Sequence, residues 1–490
     1  YPKGRLNPFF ENDVEGGDAA AALLAAELIK ADYASQETTD WQSRFYRMGV
    51  VRNHSLAASG GTEGNLFSIR GSYLNNEGTV RKSFFKRYNL NLNLQNRLTD
   101  KLKLKTVLSP SYSIKQGPTS GGSFSQRAMG SIIKTLSRQP NRGVGDVVED
   151  DTEDTGIWID PITEALRTQS YTTTFNINGN ANLIYEISKN LTANVKIGTN
   201  YSSGTIKNYF SKEFGRGFQR GGVGTRNRFE NSNINNQNML TYKNSFGDNN
   251  KHRFTGLLGF TQTFISVGRE YIETANFDIE SLGYEGLQYG ALPARPITEL
   301  RKKVLKSYIS RVNYNLGSKY NFTVSMRADG SSVFYTNKWG YFPAAAFGWN
   351  IDKEAFMQNA EAITDMKLRL SYGQTGNAGI PFYSAFSQFN DAFYVLGENS
   401  SAVTGVTLDN IADKELRWEF TDQFDAGFEL GLFDDRINLV ADVYYKRTED
   451  LLLRQPVNGS TGFTQFLTNV GNVENKGLEI ALNTVNIDRD

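Results

Sequence analysis

The 490-residue sequence contains no cysteine and only two histidines, His54 and His252. Disulfides and thiol chemistry are therefore excluded, and zinc sites lose their usual ligands. Charge of one sign is also missing. The 53 Lys and Arg residues nearly cancel the 52 Asp and Glu residues, leaving +1. A nucleic-acid binder would carry a basic excess. Long apolar runs are absent too. A membrane helix needs roughly 18 apolar residues, and the most apolar helical stretch, Ala19 to Ala31, is shorter than that. Mean hydropathy is −0.46. Any residence in a membrane must therefore rely on strands, which are apolar only at alternate positions.

What the sequence does have is alternation. Aromatics make up 12% of it, mostly Tyr and Phe. Residues 1–50 stand apart, with helical propensity in the Ala/Leu-rich stretch Ala19–Ala31. Beyond them a period of two takes over. Tyr88, Leu90, Leu92 and Leu94 share one face, and Asn89, Asn91, Asn93 and Gln95 share the other. Leu191, Ala193, Val195 and Ile197 oppose Thr192, Asn194 and Lys196. The same holds for Tyr320, Phe322, Val324 and Met326 against Asn321, Thr323, Ser325 and Arg327. Met366, Leu368 and Leu370 oppose Lys367, Arg369 and Ser371. Phe424, Ala426, Phe428 and Leu430 oppose Asp425, Gly427 and Glu429. Ile437, Leu439, Ala441 and Val443 oppose Asn438 and Asp442, with Val440 breaking the pattern.

About 15 strands can be read this way, many of roughly 12–17 residues. Soluble strands average about 5–6 residues, whereas a tilted strand crossing a bilayer needs about 9–11. The soluble alternative, a β-propeller, is built from short strands. The links also alternate in length. Tight ones fall at Gly60–Gly64, Thr99–Asp100, Ser188–Asn190, Gly247–Asn250, Gly317–Lys319 and Phe433–Asp435. Long ones fall near 117–168, 204–231, 268–302 and 380–417. Outer-membrane barrels have short periplasmic turns and long extracellular loops. One periplasmic link, Asp352 to Asp365, is longer and is expected to hold a short helix. The inward face carries Lys196, Arg327, Lys367, Arg369, Asp425, Glu429 and Asp442. Such charges need a wet lumen or a polar plug, not a dry core.

Short motifs follow one another in order from Asp40 to Asp490. They begin with Thr39-Asp40-Trp41, then Asn53-His54-Ser55 through Ser59-Gly60-Gly61, and Leu74-Asn75-Asn76-Glu77-Gly78 with Phe85-Lys86-Arg87-Tyr88-Asn89. Next come Arg327-Ala328-Asp329-Gly330-Ser331-Ser332, Gly340-Tyr341-Phe342-Pro343 and Leu368-Arg369-Leu370-Ser371-Tyr372-Gly373. Thr375-Gly376-Asn377, Leu416-Arg417-Trp418-Glu419, Asn469-Val470-Gly471 and Glu474-Asn475-Lys476-Gly477 complete the set. In this order they resemble the SusC/RagA family of TonB-dependent outer-membrane transporters, with Thr39-Asp40-Trp41 similar to the entry to that family's barrel and the next two segments similar to its first hairpins.

The resemblance implies an all-β fold: an antiparallel transmembrane β-barrel, incomplete here, with about 15 of 22 strands and a short helical N-terminal segment. It implies residues 1–40 as the end of a plug region and linker, and 41–490 as a partial barrel. Its implied partners are a SusD-like surface lipoprotein, TonB-ExbB-ExbD acting through an N-terminal region not seen here, an oligosaccharide or peptide ligand, and outer-membrane lipid. The implied activity is nutrient import. The rival reading is a passive or adhesive barrel that displays binding loops. Tyr1 reads as an internal start, without signal peptide, and the first and last strands are expected not to pair with each other.

Candidate sites are few. Trp158, Phe393 and Tyr394 fall on expected extracellular loops, where flat aromatic faces suit sugar rings or peptide side chains, although loop packing also accounts for them. Trp339 and Tyr341 read as interface aromatics. The acidic run Asp146, Glu149, Asp150, Asp151, Glu153 and Asp154 offers carboxylates to Ca²⁺ but lacks ordered ligand spacing, so it reads as a solvated loop. Arg216, Arg220, Arg226 and Arg228 among glycines read as a flexible basic loop, not a nucleotide fingerprint. His54 and His252 lack catalytic partners at a recognised spacing. No catalytic residue, metal ligand, cofactor or nucleic-acid partner is expected, and the chain does not read as an enzyme.

Overall fold

The computed structural model describes residues 38–117, 161–213, 215–396 and 401–487. Among these, one antiparallel sheet dominates. Its strands are β1 (Val51–Gly61), β2 (Asn65–Glu77), β3 (Phe84–Thr99), β4 (Leu102–Gln116), β5 (Gln169–Glu186), β6 (Leu191–Phe210), β7 (Val223–Phe246) and β8 (His252–Phe277). The short β9 (Gly290–Pro293) pairs with β8 only, and β10 (Ile297–Leu316), β11 (Tyr320–Ser331), β12 (Trp339–Asn350) and β13 (Ile363–Asn377) continue the wall. Then come β16 (Glu419–Leu432), β17 (Ile437–Glu449) and β20 (Asn472–Thr484). Two small hairpins sit off the wall: β14 (Phe389–Leu396) with β15 (Ser401–Leu408), and β18 (Leu452–Pro456) with β19 (Gln465–Asn469). Each strand of the wall pairs with its neighbour in chain order. Among the described residues β1 pairs only with β2 and β20 only with β17, so the wall stays open, as expected of an incomplete barrel.

The register decides which residues share a face, because directly opposed residues in an antiparallel pair point the same way. Leu92 opposes Ile69 and Leu108. Leu183 opposes Leu104 and Val195. Leu240 opposes Ala193 and Leu258. Val312 opposes Gly256 and Val324, and Phe347 opposes Phe322 and Leu370. Val443 opposes Ala426 and Leu478. One largely apolar face therefore runs from β2 to β20, interrupted on β7, where Asn236 and Asn238 stand on it and Asn238 donates to Asn236. Its residues are not covered by protein: Leu258 is 60% exposed and Val324 59%. An exposed apolar surface of this extent requires a nonaqueous neighbour. The opposite parity carries Lys196, Arg327, Lys367, Arg369, Asp425, Glu429 and Asp442. Many of these are paired there, with Arg369 bridging Glu429 at 2.6 Å and Asp442 at 3.0 Å.

Aromatic rings mark both borders of the apolar face. Toward the long links, Trp339 stacks on Tyr308 at 5.9 Å, and Tyr372 meets Phe424 at 4.6 Å. Toward the short turns, Tyr320 stacks on Trp349 at 6.3 Å. His252 belongs to this second row, between Phe246 and Tyr314, with Nδ1 2.7 Å from the Tyr314 hydroxyl. Trp339 and Trp349 lie on the same face of β12. The stretch between them spans about 33 Å of strand, or about 25 Å along the barrel axis at the usual tilt. That is the height of the apolar band of outer-membrane barrels.

Short turns close the wall at one end. Asn249 and Asn250 take φ of 54° and 56° there, a conformation asparagine tolerates better than most residues. The longer link at this end holds two 3-10 turns, Ile351–Lys353 and Ala355–Met357, in place of the expected helix. Glu354 between them accepts hydrogen bonds from Lys319 Nζ (2.8 Å), Tyr320 Oη (2.7 Å) and Trp349 Nε1 (3.1 Å). The Lys319 hydrogen bond, followed by those from Tyr320 and Trp349, holds its carboxyl down to about 2.

The structure corrects two further expectations. The long links read at 204–231 and 268–302 are shorter, because β6 and β7 leave only 211–222 between them, and β8 and β10 leave 278–296. Above the apolar band both faces are polar, so the ladder continues without an alternating signal. Hence Arg226 and Arg228 are strand residues, not members of a flexible loop, and Arg220 is paired with Glu273 at 2.5 Å. Only the backbone of Arg216 is described. Ahead of β1, Asp40 caps a one-turn helix, Trp41–Phe45, accepting from Ser43 N at 3.0 Å. Phe45 is buried against Val80 and Ala165, both on links at the long-link end.

Candidate ligand-binding site

Long links of outer-membrane barrels face the cell exterior, so the candidate site is sought there. Most of this end is thin wall, and the larger of its two buried cores among the described residues lies around Trp418. Val333, Phe334, Phe342, Ile380, Ala385, Leu416 and Trp418 pack together. They come from the link 332–338, from β12 and from the long link 378–418. Trp418 is the centre. Its ring lies 5.5 Å from Phe342 and 5.6 Å from Phe334, and its Nε1 donates to the Lys338 carbonyl at 3.0 Å. Gly376 makes room for this packing, since a Cβ there would stand 2.1 Å from the Phe342 ring.

The residues around Trp418 tie the core to the neighbouring hairpin. Arg417 Nε and Nη2 both donate to Asp450, each at 2.8 Å, and that pairing raises the guanidinium pKa further. Asn469 Oδ1 accepts from Arg417 N at 2.9 Å, and its Nδ2 donates to Arg417 O at 3.0 Å. Glu419 accepts from Leu452 N at 3.1 Å. The motif Leu416-Arg417-Trp418-Glu419 is thus a fastening, with each residue used.

On this base stands the hairpin β14–β15, which carries Phe393 and Tyr394. They are 64% and 68% exposed, available to a ligand. Being consecutive on a strand, they point to opposite faces of the ribbon. Phe393 shares its face with Phe389, Val395, Val406 and Leu408. Tyr394 shares the other with Asn390, Ala392 and Val403. One flat surface cannot use both rings. Asp391 pairs with Arg295 at 2.6 Å, linking the hairpin to the 278–296 link. The sequence reading missed Phe389 and Val406, although Phe389, Phe393 and Val395 already show the alternation. Trp158 and the acidic run 146–154 lie outside the described residues.

A second recess of about 590 Å³ lies between β5, β6 and the 278–296 link. Tyr171 and Tyr284 stack there at 6.2 Å, beside Gln116, Gln169 and Glu280. Glu285 braces the link by accepting from Lys207 at 2.6 Å and Arg226 at 3.0 Å. The Lys207 hydrogen bond is the largest cause of its lowered carboxyl pKa. The recess offers stacked rings among amides and hydroxyls, with the Lys82 ammonium donating to the Leu166 carbonyl and the Glu280 carboxylate accepting from the Tyr209 hydroxyl and Lys212 N. That chemistry suits a polar ligand.

The comparisons agree with this architecture. The family model described as TonB dependent receptor-like, beta-barrel matches residues 133–486. TonB-dependent receptor P3 of Formosa agariphila is 32% identical over 457 residues, covering 92% of this chain and 45% of that protein. TonB-dependent receptor SusC of Bacteroides thetaiotaomicron is 27% identical over 509 residues, covering 96% of this chain and 48% of that protein. The chain thus spans about half the length of the curated relatives it matches. Among solved structures, the RagAB peptide transporter aligns with a TM-score of 0.78 at 21% identity, over 97% of this chain and 54% of that one. The resemblance to SusC and RagA read from the motifs is borne out. The family is one of receptors and transporters, not of enzymes. The chain belongs to the TonB-dependent receptors and forms part of their β-barrel.

Proposed function

We propose that this chain is the barrel wall of an outer-membrane importer that takes up oligosaccharides or peptides. The observation that carries the reading is the two-faced sheet, with a largely apolar exterior and a polar interior that carries charge at Lys196, Arg327, Arg369, Glu429 and Asp442. A wet, charged lumen serves passage, whereas a barrel that only anchors loops has no use for one. In this reading the extracellular core around Trp418 presents the β14–β15 hairpin to cargo or to a SusD-like surface lipoprotein. Trp158, Phe393 and Tyr394 are the proposed aromatic contacts, with Phe393 and Tyr394 serving different surfaces. Import would be energised by TonB-ExbB-ExbD acting on a plug within the lumen.

The test uses the full-length protein in its own cells. Disrupting the gene is expected to abolish uptake of either labelled oligosaccharides or labelled peptides, and removing the TonB box is expected to do the same. Uptake that persists without TonB coupling, together with lost surface adhesion, would favour a passive display barrel instead.

A further inference from the structure

The apolar exterior is not uniformly filled. On β11, β12, β13, β16 and β17 it opens into a groove of about 600 Å³. The floor is made by Ala345, Leu370, Ala426 and Val443. Phe322 and Phe347, 5.0 Å apart, wall it toward the short turns. Tyr372, Phe424 and Tyr445 wall it toward the long links. Five strands, four gaps of about 4.8 Å, make it about 19 Å long.

The groove lies between the two aromatic rows, at hydrocarbon depth. Water has no place there, and an empty groove forfeits dispersion contacts along its whole lining. Its two ends differ. The short-turn side is closed by Phe rings. The long-link side is polar: the Tyr372 hydroxyl donates to Asp422 at 2.8 Å, Gln374 Nε2 donates to the same carboxylate at 3.1 Å, and Lys476 stands opposite Tyr445. A molecule seated here is therefore apolar along the groove and polar at the exterior end. We propose that this groove seats one acyl chain of an outer-leaflet lipid, with the head group against the Tyr372, Gln374 and Lys476 row. The seat rests on the membrane-facing assignment alone and is independent of what cargo the barrel carries.

The full-length protein, purified from its own membrane in mild detergent, is examined by native mass spectrometry. The wild type is expected to retain a lipid adduct. Ala345→Phe with Ala426→Phe fills the floor and is expected to lower adduct occupancy about tenfold, equivalent to about 1.4 kcal/mol. Ala426→Leu, a smaller filling, is expected to give a partial loss. Ala181→Phe, on the same exterior face of β5, is expected to leave the adduct intact. Heat-modifiable migration on gels confirms that each variant is folded. Equal lipid retention in folded wild type and filled variants overturns the proposal. So does a lipid-free wild-type dimer that the filled variants dissociate, since the occupant would then be a second copy of the chain.

Discussion

The two halves of the wall reach beyond the apolar band by different means. From β5 to β10 the strands themselves are long, at 18, 20, 24, 26 and 20 residues. From β11 to β17 they are short, at 12, 12, 15, 14 and 13. A bilayer crossing needs only about 9–11 residues, so the first half spends its surplus on a hydrogen-bonded rim. The second half stops near the band and builds its exterior from links folded around Trp418. A rim is held by ladder hydrogen bonds distributed along its length. A loop core is held by a few buried side chains, so it depends far more on any one of them.

The largest expected effect follows from that contrast. Trp418→Ala removes the central ring of the core and should cost the 378–418 region about 3–5 kcal/mol. Hydrogen exchange across 378–418 should accelerate strongly while peptides from the β7–β8 rim stay protected. Equal acceleration in both regions would mean that the two are not independently held.

Both halves share one membrane band, and a second prediction tests that unity. Leu258→Arg in one half and Val324→Arg in the other should each destabilise the barrel by about 2–4 kcal/mol. Urea unfolding of the full-length protein in phospholipid vesicles measures it. A cost at Val324 with none at Leu258 would place the two halves in different environments and break the common band.

How much of this was legible in the sequence depends on what each residue faces. In β3 or β16 one face meets an apolar solvent, and Leu90, Leu92 and Leu94 or Phe424, Ala426 and Phe428 announce it by alternation. In the rim of β7, Thr225, Arg226, Asn227 and Arg228 are polar on both faces, so the strand is invisible to a pattern search although its ladder is complete. The loop core fails for another reason. Val333, Phe334, Ile380 and Leu416 are scattered over links without a period, and only the fold brings them together. The motif 416–419 was visible as a resemblance, but its role as a fastening to Asp450 and Asn469 was not. Of the candidate site, Phe393 and Tyr394 were legible as exposed aromatics. That they face opposite ways follows only once 389–396 is a strand.

The interior face offers a smaller contrast. In the short-stranded half Gly427 lets Arg369 lie across to Glu429 and Asp442, and a Cβ there would meet Asp442 Oδ1 at 2.3 Å and Arg369 Nη2 at 2.8 Å. In the long-stranded half a Cβ on Gly198 would meet nothing nearer than 3.8 Å. Gly427→Ala should therefore weaken the charge network and cost about 1 kcal/mol, while Gly198→Ala should be neutral. Paired urea titrations read the difference. Equal costs would show that the Arg369 network contributes nothing beyond the ladder.

The smallest expected effect concerns acid. The rim half holds its 278–296 link through Glu285, whereas the Trp418 core contains no titrating group among its buried residues. The folded carboxyl of Glu285 lies below its ordinary value of 4.5, chiefly through the Lys207 hydrogen bond. A depressed carboxyl contributes stability that is full above the unfolded value and is lost as pH falls through the folded one. Loosening should therefore begin as pH drops below 4.5 and grow with further acid, not appear near neutrality. The pair is exposed, so the contribution is a few tenths of a kcal/mol. Pepsin, active in this range, should cut within 278–296 faster as pH falls, relative to 378–418 in the same sample. Glu285→Gln should be cut readily at every pH and lose that dependence. A Gln variant that keeps the wild-type pH profile would assign the acid sensitivity to another group and remove Glu285 as the brace of the rim.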